Sequence, residues 1–166
     1  HPIPRRQRQM CIRDSGGDAY EKYVSFTADA TIADGDVWVI GRAESGDGSP
    51  EALHTQIDQV NTDVTHNGDD AWHLLAGTSD SYTLVDAAIG DAGDDPGSGF
   101  TVCGDGTTAN VTLIRKTLVD GAADWATSAG TDASSCQWTI VSQSADALDY
   151  SDVGKHTFIA EEVASE

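Results

Sequence analysis

Turn signals cut this chain into short lengths, and that spacing constrains the fold more than any other feature. Asp34-Gly35 and Asn67-Gly68 are tight-turn pairs, and the stretch from Gly90 to Gly99, carrying Asp91, Asp94, Asp95 and Pro96, reads as a loop. Between these breaks lie short runs of β-branched, aromatic and aliphatic residues rather than long helical periods. Residues 23–26 alternate, with Tyr23 and Ser25 on one face and Val24 and Phe26 on the other. Val37, Trp38, Val39 and Ile40 form a run apolar enough to be covered on both faces. Residues 71–75, 82–89, 100–103, 111–116 and 137–141 read as further strands. The exception lies near 50–60. Ser49 fits an N-cap, Pro50 the first helical position, and Leu53, Ile57 and Val60 recur at i, i+4 and i+7, which predicts one short amphipathic helix. Seventeen glycines among 166 residues and 7% aromatics fit many strands and turns. The expectation is a single all-β domain, a sandwich of short strands with that one helix.

Charge bounds the partners. Nine Lys and Arg against 28 Asp and Glu leave a formal net charge of −19. Such a surface repels phosphate backbones, which argues against direct nucleic-acid binding. No apolar run approaches the roughly 18 residues of a membrane span, so no transmembrane segment is expected. Four of the basic residues, Arg5, Arg6, Arg8 and Arg13, fall in residues 1–14. The rest of the chain carries 9 − 4 = 5 basic and 28 − 1 = 27 acidic groups, a balance of −22. Bottom-up, the basic start could be an arm for acidic partners. It is not a secretory signal, because no apolar stretch follows the arginines. The string RQMCIRDS also resembles translated sequencing-adapter read-through, so residues 1–14 are set aside as a non-native or disordered segment. Residues 15–160 then form the domain and 161–166 a tail. The acid excess suits either a high-salt niche, where screening suppresses self-repulsion, or a Ca²⁺-rich one.

The same segments carry a family resemblance. Asn67-Gly68-Asp69-Asp70-Ala71, after Ile57-Asp58-Gln59-Val60, resembles the central signature of lamin tail domains of bacterial and marine extracellular proteins. Leu113 to Lys116, Asp124-Trp125, Ser128 to Thr131 and Gln137-Trp138 are similar to the second half of that domain. Gly154-Lys155-His156-Thr157 is similar to its closing motif, with Lys155 departing from it, and Gly35 to Ile40 to its early strand. The match spans roughly residues 20–158, and its specificity lies in the order and spacing of the pieces. The resemblance implies an immunoglobulin-like β-sandwich without catalytic residues of its own, often found beside extracellular nucleases and phosphoesterases. The family's first strand would fall upstream of Tyr20, in the segment set aside, which implies an exposed sheet edge and a strand-addition partner there.

Chemistry-bearing constellations are sparse. Asp91, Asp94 and Asp95 form the best metal candidate, since Ca²⁺ wants several hard oxygen ligands, but they miss the EF-hand spacing, and a solvated loop is the simpler reading. Asp69 and Asp70 fit hydrogen bonding to turn amides better than a cation site. Arg115-Lys116 is either an anion-binding pair or a pair salt-bridged to nearby carboxylates. The tryptophans Trp38, Trp72, Trp125 and Trp138 read as core anchors, with a sugar platform as the alternative. His54, His66 and His73 have no metal-ligand spacing, and no P-loop, G-x-S-x-G or C-x-x-C occurs. Nothing selects a partner that would make Cys103 a nucleophile. Asn110-Val111-Thr112 is a glycosylation sequon, relevant only in a eukaryotic host.

With Cys11 set aside, Cys103 and Cys136 remain, each at the edge of an expected strand. They are either two buried thiols or one disulfide. The exported habit implied by the resemblance favours the disulfide and an extracellular or cell-surface location. The functional expectation is a non-catalytic binding or tethering module. The alternative is an accessory-domain fragment of an extracellular nuclease or phosphoesterase whose catalytic domain lies elsewhere.

Overall fold

Strand pairing organises the chain around one four-stranded antiparallel sheet. In this computed structural model, residues 8–13, 20–33, 35–42, 51–117, 119–142 and 153–155 are described. The turn at Asp34, the cap at Ser49-Pro50, His156-Thr157, the tail 161–166 and residues 1–7 lie outside the described residues. The elements run β1 (Arg8–Arg13), β2 (Lys22–Ser25), β3 (Ile40–Gly41), α1 (Glu51–His54), β4 (Gln59–Val60), β5 (Ala71–Thr78), β6 (Ser81–Ile89), β7 (Thr101–Val102), β8 (Gly106–Thr107), β9 (Val111–Arg115), α2 (Trp125–Ala129) and β10 (Trp138–Ser142). The large sheet has the order β2-β1-β5-β6, and the pairs β10-β9, β3-β4 and β7-β8 form two-stranded sheets. Among the described residues the fold is therefore strand-rich, with two short helices and no helical bundle. The smaller sheets are two-stranded, so the described pairing shows no closed sandwich.

β5 is the centre of the packing because both of its sides are covered. Ala71 joins a cluster with Ala87, Phe100, Val102, Trp125, Ala129 and Trp138, while its neighbour Trp72 joins Val24 in a second cluster. Alternate residues of a strand point to opposite sides, so two clusters on consecutive residues mean two covered faces. Leu75, Val24 and Val102 are wholly buried. β5 and β6 are joined through Ser79 and Asp80, with Thr78 opposite Ser81.

Several expectations change. Residues 1–14 were set aside, yet the backbone of Arg8–Arg13 pairs with β2 on one side and β5 on the other. The Asn67-Gly68 pair, expected as a tight turn, lacks the two positive φ values of the type I′ form that such a pair favours: Gly68 has φ +106, but Asn67 does not share a positive φ. The glycine is needed instead for close approach, since a Cβ there would stand 2.5 Å from Ala109 Cα. The helix expected over 50–60 covers only Glu51–His54. Gln59–Val60 pairs in parallel with Ile40–Gly41 instead, and Val60, the third residue of the apolar stripe, is 56% exposed. The run 37–40 is half-buried rather than covered on both faces, and only Ile40 of it is in a strand.

The outer strands of the large sheet, β2 and β6, are partly covered along their edges. The Gln59 amide stands in for a backbone group beside β2, with Nε2 donating to Ser25 O (2.8 Å) and Oε1 accepting from Thr27 N (3.0 Å). Trp38 Nε1 also donates to Gln59 Oε1. On the far side, Ala87 N of β6 donates to Ala122 O at 2.6 Å.

Candidate functional site

Charged, aromatic and sulfur-bearing side chains meet where β9 and β10 approach β6 and α2. β9 runs antiparallel to β10 with Arg115 opposite Trp138. That register lays the Arg115 guanidinium over the Trp138 ring, 4.1 Å from its centroid. Arg115 Nη2 also donates to Asp86 Oδ2 at 2.6 Å, and Nη1 donates to Gln137 Oε1. The second Asp86 oxygen accepts from Ala122 N at 3.1 Å. Arg115 and Asp86 are 15% and 18% exposed, so this ion pair is shielded from solvent.

Lys116 serves the neighbouring loop. Its Nζ donates to the carbonyl oxygens of Ala133 and Cys136, both at 2.7 Å, and stands 3.5 Å from Cys136 Sγ. The two cations that sequence reading offered as an anion site thus spend this bonding inside the chain.

Cys103 and Cys136 are joined as expected, with Cα atoms 5.0 Å apart across 33 positions. Cys103 follows β7 in a left-handed conformation (φ +55), with its amide donating to Ala129 O. Cys136 is 3% exposed and closes a turn built by Asp132. The Asp132 carboxylate accepts from the Ser134 hydroxyl (2.6 Å) and from the amides of Ser134 (2.8 Å) and Ser135 (2.9 Å). The Ser134 hydroxyl bond foremost, then the Ser135 amide, hold its pKa down at about 2. α2 is set by Asp124 as N-cap, whose carboxylate accepts from Thr127 N at 2.8 Å, a bond that lowers the Asp124 pKa. Trp138 Nε1 then donates to Ser128 Oγ of that helix.

Asp91, Asp94 and Asp95 are exposed in the loop after β6. Asp91 Oδ1 accepts from Trp125 N (3.4 Å) and Asp95 Oδ1 from Gly97 N (2.9 Å). Among the described residues, no group of three or more His, Cys, Asp or Glu stands where one metal ion could be held, so the structure does not bring these three carboxylates together as a site. Asp70 Oδ2 accepts from Asn67 N, the turn-bracing role expected for it. Trp72, Trp125 and Trp138 are buried, while Trp38 is half-buried. Asn110 of the sequon is exposed.

Three further features lie apart from this junction. His73, 2% exposed, lies between the Tyr20 hydroxyl at Nδ1 and the Gly90 carbonyl, 2.8 Å from Nε2. His66 stacks edge-on against Trp72, and desolvation there lowers its pKa while the Asp70 charge pulls it up. A cleft of about 360 Å³ lies among residues 31–32, 36–38, 55–58 and 153–155, where Asp36, Asp58 and Lys155 border Trp38 and Ile57.

Sequence reading missed Asp86, Asp132 and Gln59. Asp132 had a signal, since Asp followed by Ser134 and Ser135 is an Asx-turn pattern. Asp86 and Gln59 act across 29 and 32 positions, which no local pattern reveals. No known family model, curated protein or solved structure matches the chain. Among the described residues, no helix is long and apolar enough to cross a membrane.

Proposed function

We propose that the chain is a non-catalytic binding or tethering module of a secreted or surface-attached protein, built as an immunoglobulin-like sandwich of the lamin-tail kind. The observation that carries this reading is the Cys103–Cys136 disulfide, because such bonds persist in oxidising, extracellular compartments. Antiparallel strands covered on both sides of β5 support the sandwich. The acid-rich surface supports a saline or extracellular setting. The polar cleft beside Trp38 is the recess this reading assigns to a ligand.

The test uses the full chain with its disulfide intact, incubated with duplex DNA and a phosphodiester ester in Mg²⁺, Mn²⁺ or Ca²⁺. No cleavage above the buffer rate is expected. Metal-dependent cleavage that co-purifies with the chain through two unrelated columns, and disappears on replacing one carboxylate, overturns the reading.

A further inference from the structure

We propose that Cys103 is a thiol-modification site: a low-molecular-weight thiol attacks its sulfur, and Cys136 leaves as a thiolate held by the Lys116 ammonium. This goes beyond the binding-module reading and stands independently of it.

Access separates the two sulfurs. Cys136 is 3% exposed beneath the turn made by Asp132, Ser134 and Ser135, whereas Cys103 is half-buried at the end of β7. Cys103 packs against the core cluster of Phe100, Val102 and Trp125 but is the less covered residue of the two, and the attack is assigned to it on that ground. Charge separates them again. Lys116 Nζ stands 3.5 Å from Cys136 Sγ, and its bonds to the Ala133 and Cys136 carbonyls keep it there before any reaction. The nearest carboxylate in the turn, Asp132, is engaged by Ser134 and Ser135. A thiolate leaves a disulfide faster when a neighbouring cation stabilises it, so the position of Lys116 selects the bond polarity.

The step balances. A thiolate RS⁻ donates its electron pair to Cys103 Sγ and forms an RS–Cys103 mixed disulfide. The Cys103–Cys136 bond breaks, and its electron pair stays on Cys136, which is thereby reduced while the external thiol is oxidised. The reverse attack by Cys136 expels RS⁻ and restores the original bond. The co-reactant is a thiol of the glutathione class.

Two measurements on the full chain test this. In the first, the oxidised protein is given a brief pulse of glutathione, acid-quenched and alkylated, and peptide mapping follows each cysteine separately. The expected product has glutathione on Cys103 and the alkyl group on Cys136, in about tenfold excess over the reverse arrangement. Equal labelling, or glutathione mainly on Cys136, overturns the proposal. In the second, the rate of Cys136 release is compared for Lys116→Met and Lys116→Arg. Leaving-group stabilisation predicts release about fivefold slower in Lys116→Met and close to the parent rate in Lys116→Arg. If Lys116 only ties down the loop, its loss loosens the turn and speeds release. An unchanged or faster Lys116→Met therefore refutes the charge role even where that variant is less stable.

Discussion

Replacing Asp86 probes the junction between β6 and β9 directly. Its two oxygens hold Arg115 Nη2 at 2.6 Å and Ala122 N at 3.1 Å, and the ion pair is only 15–18% exposed. Removing one member of a fully buried ion pair costs about 3–5 kcal/mol, whereas an exposed pair is worth about 1 kcal/mol at most. At this exposure Asp86→Ala is expected to cost about 2–3 kcal/mol. Asp86→Asn keeps an acceptor for Ala122 and is expected to cost about 1–2 kcal/mol. Arg115→Met also removes the guanidinium from the Trp138 ring and is expected to cost about 2 kcal/mol. The double variant then falls short of the sum by about 1–2 kcal/mol, because each single change already breaks the shared contact. Urea unfolding measures all four proteins, read as a shift in midpoint at constant slope. The costs persist in 1 M NaCl, where exposed pairs are screened over about 3 Å. An Asp86→Ala change below about 0.5 kcal/mol, or strict additivity in the cycle, refutes the view that this pair fastens β9 to β6.

Other outcomes follow from the same geometry. The pKa of Asp132 is held down at about 2, so the stability it contributes is fully present above the ordinary value of 3.8 and is lost as pH falls toward 2. Carboxyl NMR should show that midpoint moving up in Ser134→Ala, and no movement would sink the assignment. Gly130→Ala should cost more than about 3 kcal/mol, because its Cβ would lie 2.4 Å from Cys136 N at φ +62. Gly97→Ala, with φ +66 but nothing within 4 Å, should cost about 1 kcal/mol, and equal losses in the two variants would contradict the packing argument. Thermal stability should climb toward molar KCl as the charge of −19 is screened. Millimolar Ca²⁺ should add no saturable gain, and a gain abolished by Asp94→Asn with Asp95→Asn would restore the metal reading of that loop.

Local chemistry was legible in the sequence, and long-range chemistry was not. Alternation and apolar runs located β2, β5, β6, β9 and β10, because each buries a face against neighbours it meets through regular pairing. The strand-edge placement of Cys103 and Cys136 left two thiols or one bond open, and the family resemblance tipped the reading to the disulfide that the structure contains. The apolar stripe Leu53, Ile57 and Val60 misled, because a 3.6-residue period also fits one helical turn followed by a bridge to β3. α2 was missed although Asp124 and Thr127 carry an N-cap and Gly130 a stop, since five residues show too little periodicity. The Asn67-Gly68 pair read as a tight turn, whereas the glycine there answers a tertiary approach by Ala109. Asp86 meets Arg115 only once β5, β6 and β9 are assembled, so nothing in its own neighbourhood marks it.

The central claim, a disulfide-braced module of an oxidising compartment, is tested most directly by counting thiols. The full chain, exported to an oxidising compartment and purified without reductant, is denatured and titrated with a thiol reagent. Three cysteines with one Cys103–Cys136 bond leave 3 − 2 = 1 titratable thiol per chain. One thiol, assigned by peptide mapping to Cys11, is the expected result. Three free thiols, or a bond joining Cys11 to either partner, would contradict the account.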